Sequence, residues 1–301
     1  MKIKSVFLLV TFLFLSAKCL YAGELHVLKK NDFTAFYDPP LKLAALEVAD
    51  LYTGIKADLE HTFGWELKVK PSILLIKDRW QFQRMAESPL TVAFAVPGKN
   101  LIVIDHSRMN MNPFNLGVIL KHELCHLLLH YHIKGVTLPR WLEEGICQWA
   151  SDGIGDIVID QKRSLLNKAI LKGSLISLPS LQRGFPTDKV SLLLAYEESK
   201  SLVNYIIGKF GKEGLLAVLT YMKQGQNVDS AVFTALSIPL GELEKKWHRS
   251  LRKKLTWFTY LSYHIYEILF ALAALTTIYA FIRLIMKKRA YMKKEDDRFY
   301  S

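Results

Sequence analysis

Lys121-His122-Glu123-Leu124-Cys125-His126 contains the pattern H-E-x-x-H. On an α-helix, residues four apart lie on one face, so His122 and His126 can offer both imidazoles to a single metal ion. Glu123 then projects towards the open side of that ion, where its carboxylate can take a proton from a bound water. The stretch therefore predicts a helix that carries two ligands and a general base of a catalytic zinc site.

The third ligand has to come from another segment, because catalytic zinc usually has three protein ligands and keeps one position for water. Glu144 lies eighteen residues after His126, in the stretch Trp141-Leu142-Glu143-Glu144-Gly145. It is well placed to supply that ligand. Glu143 is the competing carboxylate, and spacing alone does not separate the two.

Two histidines are rival ligands. His132 lies ten residues after His122, at the distance that H-E-x-x-H-x-x-G-x-x-H sites use, but that arrangement needs a glycine where Leu129 stands. We therefore expect His132 to lie at the helix end or on the surface. His130 continues the spacing of four residues, but one turn further along the helix it is too distant to share the ion.

Together, His122-Glu123-x-x-His126 and Trp141-Leu142-x-Glu144-Gly145 resemble the motifs of the gluzincin metallopeptidases, and most of all the small bacterial peptidase MA-like domains. The resemblance extends from Lys42 to Lys254 and is specific in the two motifs. It implies that His122, His126 and Glu144 bind Zn²⁺ and that Glu123 is the base. It favours Glu144 over Glu143, because the Glu ligand of that family directly precedes Gly.

The resemblance also implies a role for Tyr196. Residues 195–205 are similar to the Tyr-bearing helix of gluzincin aminopeptidases, in which the Tyr hydroxyl stabilises the tetrahedral oxyanion. Ser199 stands where a Gly is expected near that position, so a packing role for Tyr196 stays open. The substrate-amine-binding Gly-Ala-Met-Glu-Asn motif of those enzymes is absent before the zinc helix, which weakens an aminopeptidase interpretation.

The patterning predicts an α+β fold. An apolar helical stripe follows Pro39-Pro40 and ends at Gly64, and a β-rich stretch follows it. Val92–Val96 and Leu101–Asp105 flank Pro97-Gly98-Lys99-Asn100, which indicates a hairpin. We expect a thermolysin-like zincin domain, whose zinc helix spans Asn115 to His130, with a helical C-terminal subdomain. In gluzincins an edge strand lies over the zinc cleft and pairs with substrate; this hairpin is the candidate, although another segment covering its edge is an open alternative.

Both ends of the chain indicate a membrane context. Residues 1–22 have the basic, apolar and small-residue regions of a secretory signal, although an uncleaved anchor stays open. Residues 257–286 contain a stretch that is apolar and long enough to cross a bilayer, and residues 287–301 form a basic tail. Residues 23–254 would then be an exported domain on the periplasmic or extracellular side of the cell membrane, with a cytoplasmic C-terminus.

The net charge of +12 and the cysteines limit the possible partners. The basic clusters flank the apolar C-terminal stretch, so anionic lipid head groups explain them better than nucleic acid does, and no nucleic-acid-binding motif is visible. Cys125 and Cys147 each lie inside one of the two zinc motifs. An exported domain could join them in a disulfide, or they could be buried free thiols.

The sequence therefore predicts a membrane-anchored zinc metallopeptidase that hydrolyses peptide or protein substrates by a Glu-activated, zinc-bound water. Two other classes stay open: a degenerate, membrane-tethered binding or assembly protein, and a zinc hydrolase of a non-peptide substrate. Substrate preference, endo- or exopeptidase action, oligomeric state and protein partners are not determined by these patterns.

Overall fold

A computed structural model describes residues 25–86, 88–109, 114–152, 164–254, 261–262 and 264–299. The expected signal at residues 1–22 and the end of the chain at residues 300–301 lie outside these ranges. So do Pro113 and residues 153–163, which follow the second motif. The chain divides into two compact units, residues 1–247 and 248–301, which are described separately.

The first half of the large unit is a five-stranded mixed sheet in the order β1-β2-β3-β5-β4. Strands β2, β3 and β5 are parallel, and the edge strands β1 and β4 are antiparallel to their neighbours. The predicted hairpin is confirmed as β4 and β5, with Ala95 opposite Ile102. The strand bounds are His26–Lys29, Thr34–Tyr37, Ser72–Ile76, Ala93–Val96 and Leu101–Asp105 for β1 to β5.

Two long helices pack beside the sheet. Helix α1 spans Lys42–Phe63 and ends at Gly64, whose left-handed backbone (φ 65°) accommodates the predicted stop. Helix α3 spans Leu116–His132, so the zinc helix forms where it is predicted and runs two residues further. The short helix α2, Arg79–Gln83, lies between β3 and β4. These elements establish the α+β class that the patterning predicts.

The loop that leads into β4 is fixed by a buried ion pair. Arg79 contacts the carboxylate of Asp105, which is fully buried at the end of β5. The same guanidinium donates to the backbone carbonyls of Pro89 and Thr91. A buried charge is tolerated when it is paired and hydrogen-bonded in this way. The contacts hold the start of the edge strand against the rest of the sheet.

The second half of the large unit is helical. Helix α7, Lys189–Lys223, is the long central element, and its backbone kinks at Gly211 (φ 76°). Helix α4, Arg140–Ala150, carries the second motif and packs against α7, as does α8, Val228–Leu236. The helix bounds are Arg140–Ala150 for α4, Leu165–Lys172 for α5, Leu178–Arg183 for α6, Lys189–Lys223 for α7, Val228–Leu236 for α8 and Leu240–Lys254 for α9.

Three carboxylates hold the segment between α4 and α7 in place. Glu198 on α7 accepts the backbone N–H of Ile176 at 3.0 Å, and Glu244 on α9 accepts that of Leu178 at 2.8 Å. Glu197 satisfies the first turn of α5 by accepting hydrogen bonds from Ser164, Leu165 and Leu166. Backbone N–H groups at helix starts have no intrahelical partner, so these carboxylates act as caps. Residues 164–178 of this segment are thus fixed to the helical half.

The small unit contains helix α10, Ile265–Phe299. Residues Ile265–Arg289 of this helix are long and apolar enough to cross a bilayer, and none of them is buried within the structure. This agrees with a predicted span within residues 257–286. Residues 255–260 lie outside the described ranges.

Replacing Glu198 with glutamine is expected to change how stability depends on pH. Burial, together with the charges of Glu244 and Glu197, raises the pKa of Glu198 from 4.5 to about 8. Because the folded state holds this proton more tightly than the unfolded chain, the native carboxyl loses stability as pH rises from 4.5 to 8. E198Q keeps the acceptor for Ile176 but cannot ionise.

The free energy of unfolding of E198Q, measured by denaturant titration, should therefore fall less than that of the wild type between pH 5 and pH 8. E66Q, at an exposed carboxylate, is the control for the loss of one acidic group. Parallel pH profiles for E198Q and wild type would show that Glu198 does not hold this proton.

Candidate metal centre

Helix α3 presents both histidines of the first motif on one face. Asn115 caps its start by accepting the backbone N–H of Val118 at 3.1 Å. The rest of the helix is anchored by apolar side chains that are almost completely buried, among them Leu120, Leu124, Leu127 and Leu128. With the helix fixed in the core, His122 and His126 point the same way, and their Nε2 atoms are 3.0 Å apart.

Helix α4 brings the second motif to the same place. Trp141 and Leu142 are fully buried, and they anchor the first turn. Gly145 lies against α7 so closely that a Cβ atom there would be 2.5 Å from the carbonyl oxygen of Ser199 and 2.7 Å from a methyl group of Val203. Only glycine permits this approach of two backbones. The glycine of the motif therefore determines how far Glu144 can reach.

The three expected ligands converge. Oε2 of Glu144 lies 3.5 Å from Nε2 of His122 and 3.8 Å from Nε2 of His126. One donor atom from each residue lies within 4.8 Å of the others, and all three side chains are largely buried. Among the described residues, this is the one cluster of His, Cys, Asp or Glu with such geometry.

These distances fit a zinc ion. A tetrahedral zinc with bonds of about 2.0–2.1 Å needs ligand atoms roughly 3.3 Å from one another. The observed separations of 3.0, 3.5 and 3.8 Å bracket that value. Two imidazoles and one carboxylate are also the ligand chemistry of catalytic zinc sites, which leave a fourth position open. The cluster could therefore hold Zn²⁺ with little rearrangement.

The carboxylate of Glu144 is in the form that binds a metal. Burial alone raises its pKa, but a hydrogen bond from His122 and the positive charges of His126 and Arg140 outweigh burial and lower it. Burial lowers the pKa of His126, yet the hydrogen bond to Glu143 and the nearby carboxylates raise it to about 10. Because a metal needs the unprotonated Nε2, a metal ion would displace a proton from His126 on binding.

Glu123 lies beside this cluster and faces the edge strand. Its carboxylate accepts the backbone N–H of Ala95 on β4, and only 4% of the residue is exposed. Burial, and to a smaller degree the negative charge of Glu144, raise its pKa. A buried carboxylate with a raised pKa is a better proton acceptor than an exposed one, which is what a general base requires.

Glu143, the competing carboxylate, is used differently. Its Oε1 accepts Nδ1–H of His126 at 2.7 Å and Nε2–H of His130 at 2.9 Å. Burial raises its pKa, but these two hydrogen bonds outweigh burial and lower it. A carboxylate on Nδ1 fixes the tautomer of a ligating histidine and leaves Nε2 for the metal. Glu143 thus supports one candidate ligand and connects it to His130, a pairing that the sequence analysis missed.

His132 lies away from the cluster. Its Nε2–H donates to the backbone carbonyl of Glu66 at 2.9 Å, and its ring packs against Trp65. The expectation of a histidine at the helix end agrees with this position, since His132 is the last residue of α3.

Tyr196 reaches the cluster from α7. Its hydroxyl donates to Oε1 of Glu144 at 3.4 Å, and burial raises its pKa, so it remains a neutral donor. Gln148 on α4 is fully buried and donates to the backbone carbonyl of Tyr196 at 3.2 Å. Gln148 therefore joins α4 to α7 beside the glycine contact.

Cys125 and Cys147 are both fully buried free thiols, and their side chains are hydrogen-bonded to each other. They lie on α3 and α4, next to the candidate ligands. Burial raises the pKa of Cys147 well above its ordinary value, so this sulfur stays a thiol rather than a thiolate. Of the two alternatives that the sequence leaves open, a disulfide or buried free thiols, the structure has the free thiols.

Comparison with known proteins identifies the family. A family model described as the Peptidase MA superfamily matches residues 64–253, which is more than half of the chain. The chain belongs to this superfamily, and the resemblance drawn from the two motifs is confirmed. No curated protein matches the chain.

The solved structures that match this chain include two larger enzymes. Legionella pneumophila aminopeptidase A in complex with aspartic acid is 15% identical, with a TM-score of 0.43 over 75% of this chain and 27% of that one. Yeast LTA4 hydrolase in complex with Bestatin is 15% identical, with a TM-score of 0.45 over 79% of this chain and 39% of that one. The chain thus spans less than half the length of either.

Replacing Gly145 with alanine is expected to disturb both the fold and the cluster. The added methyl group meets a backbone carbonyl that cannot move easily, so α4 has to shift away from α7. Overpacking of this kind costs about 1–3 kcal/mol. Thermal unfolding of G145A should show this loss, together with weaker zinc binding by chelator competition.

G208A is the matched control, because Gly208 lies inside helix α7, as Gly145 lies inside helix α4, but a Cβ there would meet no atom within 4 Å. It should be as stable as the wild type or slightly more stable. A G145A protein with wild-type stability and zinc affinity would show that the two helices do not need this close approach.

Proposed function

We propose that this chain is a membrane-anchored zinc metallopeptidase of the gluzincin type. Family membership supports a metallopeptidase at the level of class. The observation that carries the proposal is the convergence of His122, His126 and Glu144 beside the buried carboxylate of Glu123. Two imidazoles and a carboxylate bind the ion, and a separate carboxylate is left for proton transfer.

In the proposed reaction, Glu123 moves the proton. A zinc ion held by the three ligands would polarise the scissile carbonyl and lower the pKa of a water molecule. Glu123 takes a proton from the attacking water as the bond to the carbonyl carbon forms. It then gives this proton to the amine nitrogen as the peptide bond breaks. The burial that raises the pKa of Glu123 favours the first of these transfers.

Tyr196 is the proposed donor to the oxygen that becomes negative. It is neutral and buried, and its hydroxyl already reaches Oε1 of Glu144, which places it beside the ligand cluster. A preorganised donor at such a position contributes a few kcal/mol at the transition state. Gln148 and the crossing at Gly145 keep the helix of Tyr196 at this distance.

Strand β4 is the proposed binding site for the substrate backbone. It is an edge strand and pairs with β5 alone among the strands that the structure describes. Residues alternate in direction along a strand, and the N–H of Ala95 faces Glu123 rather than β5, so the backbone of Ala93 faces the same way. An extended peptide could pair with this edge, which gives affinity with little dependence on side chains.

Helix α10 is the proposed membrane anchor. The span Ile265–Arg289 is long enough to cross the hydrocarbon core, and its side chains are exposed in the structure as lipid-facing residues are. With a secretory signal at residues 1–22, the catalytic domain would lie outside the cytoplasm and the basic tail inside it. Peptide or protein substrates would then be met on the periplasmic or extracellular side of the cell membrane.

Glu123 provides the direct test. Full-length protein, purified in detergent and loaded with zinc, is assayed against a mixture of unstructured peptides by mass spectrometry. E123Q should lose hydrolysis by about 100-fold or more, because general base catalysis contributes that much. Its zinc content should match that of the wild type. E144Q should lose both zinc and activity, and E66Q should keep both.

The other outcomes distinguish the competing classes. An E123Q protein that cleaves peptides at the wild-type rate would rule out the peptidase mechanism. A wild-type protein that binds zinc but cleaves no peptide would favour a non-peptide substrate. A protein that binds no zinc after gentle purification would favour a binding or assembly role.

A further inference from the structure

The two oxygens of Glu144 have different neighbours. Oε2 faces Nε2 of His122 and His126, so it is the atom available to a metal. Oε1 is turned away from them and receives the hydroxyl of Tyr196 at 3.4 Å, with Nε of Arg140 at 3.6 Å. The side chain of Glu144 is only 10% exposed. Its orientation is therefore determined by these neighbours rather than by solvent.

Arg140 is held beside Oε1 by two further contacts. It lies four residues before Glu144 on α4, so both side chains project from the same face of the helix. Its guanidinium carbon lies 4.9 Å from the ring centre of Phe185, and its side chain is hydrogen-bonded to Tyr196. A planar guanidinium stacked on an aromatic ring loses little further freedom when it binds a carboxylate.

Phe185 connects these contacts. Its ring meets that of Tyr196 edge-on, with the ring centres 5.2 Å apart, while its face supports Arg140. The residue comes from the segment after α6, so it supports Arg140 and Tyr196 from a third element. Arg140, Tyr196 and Phe185 thus form one packed group around the oxygen of Glu144 that does not face the histidines.

We propose that Arg140 is a positioning residue for the third metal ligand. It holds Oε1 of Glu144 so that Oε2 alone is presented to the ion, also when the Tyr196 hydroxyl donates to the substrate oxygen. This inference rests on the proposed function, since it assumes that the cluster binds zinc. A carboxylate that binds through one oxygen would occupy one coordination position of a zinc ion, which leaves a position for water and substrate. Without the hold on Oε1, both oxygens can turn towards the ion and occupy a further position.

Arg140 is suited to this task because its charge is permanent. Arginine stays protonated at all pH values at which the protein is folded, and its fork can contact Glu144 and Tyr196 at once. Lysine offers a single point charge on a flexible stem and cannot reproduce both contacts. Partners of this kind, one step removed from the metal, typically change metal affinity by 10–100-fold when they are removed.

The test compares full-length R140Q, R140K and wild type in detergent. Zinc affinity is measured by competition with a chelator, and the geometry of the site by the visible absorption of the cobalt-loaded protein. R140Q should bind zinc about 10–100-fold more weakly. Its cobalt absorption bands should weaken, because cobalt with five ligands absorbs less strongly than cobalt with four. R140K should be intermediate in both measurements.

Two further variants separate positioning from general stability. R84Q removes an exposed arginine of the same unit and should leave both readouts unchanged. F185L removes the ring that supports Arg140, and it should shift the cobalt bands in the same direction as R140Q.

An R140Q protein with wild-type zinc affinity and cobalt bands would overturn the proposal and leave the zinc site itself intact. If R140Q does not fold, unchanged values in R140K overturn it instead. A wild-type protein that binds no zinc refutes the proposed function, and this inference with it.

Discussion

The close contact between α4 and α7 is the constraint on which the site depends. At Gly145 the two backbones approach to a distance that excludes any side chain. Glu144 directly precedes this glycine. Gly145 lies against the backbone of Ser199, which is about one turn after Tyr196 on α7. The same crossing therefore determines the position of the third ligand candidate and of the phenol hydroxyl. The hydrogen bond from Gln148 to the carbonyl of Tyr196 fixes the same two helices one turn further along.

Much of this arrangement is encoded locally, and the sequence analysis could predict it. The spacing of His122 and His126 predicts a helix with both side chains on one face. Helix α3 forms there, with Asn115 as its N-cap. The turn residues between β4 and β5 predict a hairpin, and Gly64 and Gly211 coincide with a helix end and a kink. In each case a few neighbouring residues carry the whole signal, because local backbone preference and apolar periodicity decide the outcome.

Contacts between distant segments could not be predicted in this way. Glu143 binds two histidines of another helix, and Glu198 accepts the N–H of Ile176, twenty-two residues earlier in the chain. Arg140 was missed although it lies one turn before Glu144, because its partners Tyr196 and Phe185 come from other elements. Such pairings depend on how helices cross, and the crossing is set by packing that no local pattern reports.

The two oxygens of Glu144 contact different neighbours, and this limits which residue can replace it. Many zinc sites use a third imidazole, and a histidine at this position would still offer a nitrogen to the ion. An imidazole, however, has no second acceptor oxygen on the side where the Tyr196 hydroxyl and Arg140 lie. Its remaining N–H would oppose these two donors, and the buried phenol hydroxyl would lose the acceptor that Glu144 provides. The identity of this candidate ligand is therefore coupled to Arg140 and Tyr196. Converting the site to three histidines would require replacing these two residues as well.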